Sequence, residues 1–446
     1  MTAALLGYSA YLPEYRIGKN RVVASYDEDS TTMAVTAAAE LRRRVSGHEP
    51  AGLYFASSTP AYADKTNATA IHAALGLSRD TFAADLCGTG RSAFAAIRSA
   101  LTGGGLVLTA DVRTGRPGSS DEKLGCDAAA ALLFGDDGDP IAEVLATASL
   151  TDEFLDRWRE PVNLTGEQWE ERFGAGRYGE LIRDAANQAL SGAGLADVDH
   201  VALACPNSAV SKRAASLVKG RKAATVSPIG FSGSADAAIA LAAVLDVAEP
   251  GDTILVLSAT DGCDALVLRA TPALLGARQR VPVIEQRTGG SVIPHLTYLS
   301  WRGLVELEPP RRPEPERPAA PPAGRSVRWK YGLTGARCAH CGFVHLPAVE
   351  VCRSCGGRQV TEAVRVSDLH ATVASYTVDH LAYSPSPPMV QAAVDVDGGG
   401  RLMVEITDVN PERLAVGVRV RFVFRRLFTA GSVHDYFWKA VVVDGK

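Results

Sequence analysis

Residues 82–101 read FAADLCGTGRSAFAAIRSAL. A short apolar run enters CGTG, and an Ala-rich pattern from Arg91 to Leu101 follows, so the stretch predicts a strand, a glycine turn and a helix. Its flanks continue the alternation: GLYFASS at 52–58 reads as a strand, Asn67 to Leu77 as a helix, and GLVLTAD at 105–111 as a strand. The rhythm returns after residue 180, with a helix from Leu181 to Gly194, a strand in HVALACPN and helices at Ala209 to Lys219 and Ser234 to Val247. The strands DTILVLSATDG and DALVLRA close it. Strands alternating with helices imply an α/β fold, and two halves of similar rhythm imply an internal duplication.

The chain has 446 residues, 46% apolar and 22% charged, an ordinary globular composition of about three domains at ~150 residues each. Lys plus Arg is 46 and Asp plus Glu 50, a net charge of −4 that removes the basic footprint of a nucleic-acid binder. The N-terminal MTAALLGYSAYLPEYR lacks a basic segment before its broken apolar stretch, and the longest apolar helix pattern, Ala237 to Leu245, ends at Asp246. A cytoplasmic protein with no membrane span is the expectation. From Pro309 to Pro322, seven of fourteen residues are proline, which predicts an extended linker that no helix or central strand could absorb. Beyond it the chain turns to β-rich runs. HATVASYTVDH, MVQAAVDVDGGGRLMVEITDV, VGVRVRFVFRR and DYFWKAVVV predict about five strands of a small barrel. In the third run, Val418, Val420, Phe422 and Phe424 are expected to face inward, and Arg419, Arg421 and Arg425 to form a solvated face.

Eight cysteines divide evenly. Cys338, Cys341, Cys352 and Cys355 form C-x2-C-x10-C-x2-C, each pair followed by glycine. Two knuckles presenting four thiolates suit a closed, structural zinc site, and a reducing compartment favours metal over disulfides. Iron fits the same geometry less well on availability. His340 and His345 lie close by and are read as surface residues, because four thiolates already fill the metal's shell.

The C-terminal block resembles the rubredoxin-like zinc ribbon plus OB-fold proteins that accompany thiolase-like enzymes. CAHCGFVHLPAVEVCRSCG, SYTVDH, PSPPM, GGGRLMVEITDV and VGVRVRFVF carry that likeness. In those families the module docks on a condensing enzyme and shapes acyl-CoA passage. The first block resembles the thiolase superfamily, in its hydroxymethylglutaryl-CoA synthase and 3-oxoacyl-carrier-protein synthase III branch, through GYSAYLPEYRI, EDSTTMAVTAAAE, AADLCGTGRSAFAAIRSAL, GCDAAAALLFG, HVALACPN and IGFSGSA. The resemblances imply a duplicated thiolase-like αβαβα domain over 1–300, a Pro-rich linker over 301–326, a zinc ribbon over 327–366 and an OB-fold barrel over 367–446. They also imply a homodimer, and possible further thiolase-like subunits.

The family's nucleophile falls on Cys87, followed by Gly90, at a helix N-terminus that favours a thiolate. Its general-base histidine falls on Ala204 in ACPN, its oxyanion asparagine on Ile229 and its acid glutamate near Ser58. Three of four roles are vacant, and such groups act as a unit. The candidate catalytic set is therefore Cys87, Cys205, Asn207 and Cys263, with packing as the competing reading of the thiols and Cys126 expected in the core. Tyr62, Asp236 and Asp261 are candidate acids and bases. Lys212 and Arg213, with Lys219 beyond them, suit the phosphates of coenzyme A, although a solvated face explains them as well. The implied substrate carrier is a coenzyme A or phosphopantetheine thioester. The implied function is acyl transfer, or making or breaking a carbon–carbon bond, on acyl-CoA or acyl-carrier-protein. The alternatives are a non-catalytic acyl-CoA-binding scaffold and ordinary hydroxymethylglutaryl-type condensation through Cys87.

Overall fold

The computed structural model describes residues 3–18, 20–45, 47–218, 220–222, 224–308 and 312–443. Contacts divide them into two units, the first holding residues up to Ala24, Asp29–Thr69 and Ser78–Tyr298, the second Ser25–Glu28, Ala70–Leu77 and Leu299 onward.

The first unit is organised by a ten-stranded sheet. Its strands in chain order are β1 Ala4–Tyr11, β2 Gly52–Ser57, β3 Phe82–Cys87, β4 Gly105–Asp111, β5 Ala128–Gly135, β6 Ala142–Leu150, β7 His200–Ala204, β8 Ala224–Val226, β9 Thr253–Ser258 and β10 Cys263–Ala270. They lie in the order β8-β7-β9-β10-β6-β1-β5-β4-β2-β3. Each half, counted by its own strands, runs third, second, fourth, fifth, first from its outer edge, and the two first strands pair at the centre through Leu5 and Ala142. The duplication inferred from rhythm is therefore a duplication of topology. Within each half the outer three strands are parallel and the remaining pairings antiparallel, as β-x-β crossovers through helices require.

Helix α1, Ser30–Arg44, opens with a capping box in which Asp29 accepts from the Thr32 amide at 2.9 Å and the Thr32 hydroxyl accepts from the Asp29 amide at 2.9 Å. Helix α2, Ser92–Gly103, follows β3, α3 is Glu171–Gly192, and α4, Ser208–Lys212, follows β7. Helix α5, Asp236–Leu245, follows β8, so α2 and α5 are equivalent in the two halves. Nine of the ten residues of α5 are buried, which is why its sequence DAAIALAAVL is apolar on every side. Both helices share one core cluster, in which Phe94 and Ile97 pack with Ile239, Leu241 and residues of β1 and β5.

The boundaries differ from the expectation in places. α3 begins ten residues before Leu181. The helix expected over Ala209 to Lys219 is two short pieces, α4 and Ala214–Leu217, because Arg213 leaves helical geometry and the Ser211 hydroxyl turns back on the carbonyls of Cys205 and Asn207. Lys219 lies outside the described residues. Part of the proline-rich stretch does form a helix, Ala320–Arg325, since Pro321 and Pro322 occupy its first turn, where no amide partner is lost. Residues 309–311 are outside the described set. None of the described helices is long and apolar enough to cross a membrane.

The second unit contains a three-stranded ribbon of β11 Thr334–Cys338, β12 Val344–His345 and β13 Val360–Arg365, ordered β12-β11-β13. A closed barrel follows, of β14 His370–Asp379, β15 Met389–Val396, β16 Arg401–Ile406, β17 Arg419–Ala430 and β18 Val433–Val442. Closure removes the free edges that an open sheet of this length would present. Val420, Phe422 and Phe424 point inward as alternation predicts, but Arg425 corrects the solvated-face expectation, being only 2% exposed. It pairs with Glu28 and, at 2.6 Å, with Asp408. Beside it Lys439, fully buried, reaches Asp27 at 3.0 Å and Glu405 at 2.7 Å, and Thr407 donates to Asp27 at 2.9 Å. The acidic segment Ser25–Glu28 is thus the counter-charge of two buried cations in the barrel wall.

Burial by itself would raise the Asp27 carboxyl, but Lys439 and Arg425 outweigh it and hold the group below the usual carboxylate range. A depressed carboxyl stabilises above the unfolded value of ~3.9 and loses that contribution as pH falls through the folded value. Lys439→Met is expected to cost about 3–5 kcal/mol in denaturant unfolding, and Asp27→Asn to flatten the fall in stability below about pH 4.

Candidate functional site

Cys87 is the last residue of β3, register partner of Ser57 on β2. Gly88 turns the chain at φ +127°, and its amide donates to the Ser57 carbonyl at 3.0 Å. The equivalent segment of the second half, 229–235 in IGFSGSA, leads into α5. The two turns meet: the Ser234 hydroxyl donates to the Thr89 carbonyl at 3.2 Å. A Cβ added at Gly90 would lie in ordinary contact, 3.5 Å from the Gly233 carbonyl oxygen and 3.4 Å from Thr260 Oγ1, so the two turns pack directly on one another. Gly233 itself has φ +62°, and a Cβ there would overlap the Asp111 carboxylate at 1.9 Å.

Two side chains that the sequence did not single out fasten this junction. Asp111, fully buried at the end of β4, accepts from the hydroxyls of Ser57, Ser58 and Thr59 at 2.8, 2.7 and 3.0 Å. It also accepts from the amides of Ser58, Thr59 and Ser234 at 2.7, 3.0 and 2.6 Å. Arg91, four residues after Cys87, forms a fork on Asp264 at 2.9 and 3.2 Å and donates to the carbonyls of Asp261 and Leu150 at 2.6 and 3.0 Å. Only their position at a strand end and after a glycine turn could have marked them.

The Cys87 side chain is exposed, yet its thiol is pushed up to about 11 by partial burial, then by the Asp85 and Asp111 carboxylates, against one backbone hydrogen bond. Burial first, and the carboxylates second, thus move the thiol away from the thiolate that a helix N-terminus was expected to favour. Cys126 is buried in the α2/α5 core and donates to the Ile229 carbonyl at 2.5 Å; burial pushes its thiol up to about 12. Cys205 and Cys263 are buried in a second apolar cluster with Leu203, Leu257 and Tyr178, and burial raises both thiols. Iodoacetamide labelling of Cys87, followed by peptide mass spectrometry, is expected to stay slow at pH 7 and rise only above about pH 9–10.

Ala204, Ile229 and Ser58, three positions that the family resemblance marks, lie in the sheet, in the core and in a hydrogen-bonded turn. Ala204 ends β7, and its carbonyl accepts from the Ala259 amide at 2.9 Å; Ile229 is buried. Ser58 is held by Asp111 and by Arg113 Nη1 at 3.2 Å. Asn207 is fully buried as the cap of α4, where its oxygen accepts from the amides of Ala209 and Val210 and its NH2 donates to the Glu171 carbonyl at 2.9 Å. Lys212 and Arg213 are exposed at the end of that helix. Among the candidate acids and bases, Asp236 is buried at the start of α5, and burial raises it to about 7 against hydrogen bonds from Ser232 and Ser227. Asp261, at φ +52° in the loop that Arg91 grips, is also raised by burial. Tyr62 is half-buried, its amide on Asn67 Oδ1 at 3.0 Å.

The four ribbon cysteines converge, with their sulfurs within 4.8 Å of one another and pairs at 3.8 Å (Cys338–Cys355) and 3.5 Å (Cys341–Cys352). Sulfurs at ~2.3 Å from one tetrahedral centre would be about 3.8 Å apart, so the donor set fits zinc. The knuckles are built alike: Gly342 and Gly356 have φ +74° and +75°, and their amides each donate to the carbonyl of the first cysteine, Cys338 or Cys352, at 2.9 Å. His340 is exposed as expected, but His345 is a correction: it is buried, with Nε2 3.3 Å from Cys352 Sγ, where it supports a ligand rather than facing solvent. The barrel next to the ribbon in the second unit carries a cavity of about 480 Å³ lined by Tyr26, Tyr383, Met389, Met403, Phe437 and Trp438. Chelation of the metal, or Cys352→Ser, is expected to release one zinc per chain and lower the unfolding temperature, as read by metal analysis and calorimetry.

A duplicated sheet whose two equivalent helix-bearing turns meet at a cysteine defines a thiolase-like condensing-enzyme fold. The chain belongs to the hydroxymethylglutaryl-CoA synthase family. It is 30% identical over 325 residues to the hydroxymethylglutaryl-CoA synthase of Methanopyrus kandleri, covering 63% of this chain and 91% of that protein. It is 29% identical over 341 residues to the one from Archaeoglobus fulgidus, covering 68% and 99%. In fold it is similar to a solved hydroxymethylglutaryl-CoA synthase complexed with CoA (TM-score 0.59, 14% identity, 67% of this chain and 89% of that one). It also resembles 3-oxoacyl-(acyl carrier protein) synthase III of Pseudomonas aeruginosa (TM-score 0.54, 19% identity, 61% and 99%). Residues 330–361 match the family described as ChsH2, rubredoxin-like zinc ribbon domain, and 363–425 the one described as ChsH2, C-terminal OB-fold domain.

Proposed function

We propose that this chain acts on acyl thioesters of coenzyme A or an acyl carrier protein, and makes or breaks a carbon–carbon bond without an imidazole-activated thiolate. The reading is supported by Cys87, whose thiol is pushed up to about 11 by burial and by two carboxylates, and by the family resemblance, which puts Ala204 where the family's base would be. Aldol-type chemistry needs a proton acceptor and donors for the developing enolate, not a nucleophile. Family membership and the retained strand–turn–helix around Cys87 support the thioester substrate. Lys212 and Arg213 are the proposed contacts for coenzyme A phosphates, and the barrel cavity a proposed path for the acyl carrier. Cys205, Asn207 and Cys263 are proposed to shape the site by packing and capping, and the four ribbon cysteines to hold one structural zinc.

We place the protein in the cytoplasm as a homodimer. Its support is β3, which ends the sheet with no partner on its outer side among the described residues and leaves Phe82 61% exposed. Incubation with acetyl-CoA, acetoacetyl-CoA and a β-hydroxyacyl-CoA, followed by intact and native mass spectrometry and product analysis, tests these points together. The expected result is turnover with no acyl adduct on Cys87, activity that survives Cys87→Ala, and a mass of two chains. An adduct on Cys87 with loss of activity in Cys87→Ala would favour covalent acyl transfer, and ligand binding without turnover would leave a scaffold.

A further inference from the structure

The stretch expected from its prolines to be an extended linker is, from Arg312 to Pro318, laid against the barrel of the second unit. Glu314 accepts from the Tyr383 hydroxyl at 2.9 Å, and Pro315 forms part of the wall of the cavity of about 480 Å³. Arg317 crosses the turn between β17 and β18, where a Cβ on Gly431 would lie 3.3 Å from its Cδ. In chain order the segment therefore touches the β14–β15 loop, the cavity and the β17–β18 turn, and Tyr383 of that loop lines the same cavity. Pro315 and Pro318 are half-buried, whereas residues 312–314 and 316–317 are exposed. A repeat of three is that of the polyproline helix, and Ala319, next in the chain, has its conformation, with φ −76° and ψ 133°.

A polyproline chain is extended before it docks, so it lies down on an aromatic surface such as that of Tyr26, Tyr383, Phe437 and Trp438 at little entropic cost. The three prolines of 312–318 have no amide hydrogen, so ladder bonds cannot stitch the segment to a barrel strand. Among the described residues, the bond from Tyr383 to Glu314 is the one hydrogen bond that 312–318 make, and they form no ion pair. An exposed segment held by so few polar contacts opens at small cost. We propose that residues 312–318 are a lid over the barrel cavity, closed in this structure by the Glu314–Tyr383 latch and lifted when an acyl chain on its pantetheine arm enters. The inference rests on the reading of the cavity as a path for the acyl carrier, and adds what controls entry. Met389 and Met403, with the rings around them, give the acyl chain an adaptable apolar wall once the lid is raised.

Three methionines make the lid measurable. Met389 is half-buried on the cavity wall, Met403 lines the same cavity but is 60% exposed, and Met33 is fully buried in the first unit. The full chain is treated with dilute hydrogen peroxide, and sulfoxide at each methionine is followed by peptide mass spectrometry. Glu314→Ala and Tyr383→Phe are each expected to speed oxidation of Met389 roughly threefold to tenfold, with the rates at Met403 and Met33 unchanged. Saturating hexanoyl-CoA is expected to slow it again in Glu314→Ala by filling the opened cavity. A Met389 rate that neither variant changes, or that rises in both only together with Met33, would overturn the lid. Faster oxidation in the variants without protection by hexanoyl-CoA would overturn the passage of an acyl chain through the cavity and leave the lid standing.

Discussion

One carboxylate holds the site of the first unit together. Asp111 ends a central strand of the first half, fully buried, and gathers donors from the Ser57–Thr59 turn beside Cys87 and from Ser234 of the second half. A buried carboxylate is tolerated only when its lone pairs are taken. Here the groups that take them are the loops that must meet if the duplicated halves are to share a site. The constraint extends to Gly233, where any side chain would occupy the space of the carboxylate. It extends also to Cys87, whose thiol feels the same negative charge.

That charge adds to the effect of burial on the Cys87 thiol. A nucleophilic thiolate needs nearby positive charge or an imidazole. At Cys87 burial and two carboxylates act on the thiol, and the backbone of Ala204 is committed to the sheet. Positive charge is instead concentrated one step away, on the arginines around Ser58 and Phe231.

In the second unit, the barrel wall contains a lysine and an arginine that pair with Glu405 and Asp408 nearby and with Asp27 and Glu28, far away in sequence. The alternation in VRVRFVFRR correctly placed its apolar residues inside, but periodicity says only which way a side chain points. Whether Arg425 meets water or a carboxylate depends on a segment about 400 residues earlier, and no local pattern carries that. His345 was misplaced for a similar reason: its neighbour in space, Cys352, is brought there by the ribbon fold. The short α4 and the earlier start of α3 were decided by capping and hydroxyl contacts that compete with helix propensity over only a few residues.

The sequence alone determined what local chemistry can specify. Glycine-punctuated apolar runs set strands, turns and helices, the paired C-x2-C spacing set a four-thiolate site, and motif order set the family resemblance, because each depends on residues close along the chain. Tertiary structure decided which charges meet. That Asp111 acts on Cys87, that Asp111 and Arg91 lock the two halves, that Arg113 and Arg159 meet at Ser58, and that Lys439 finds Asp27 all follow from contacts between distant segments. Electrostatic free energy depends on distance and burial, which no stretch of sequence contains by itself.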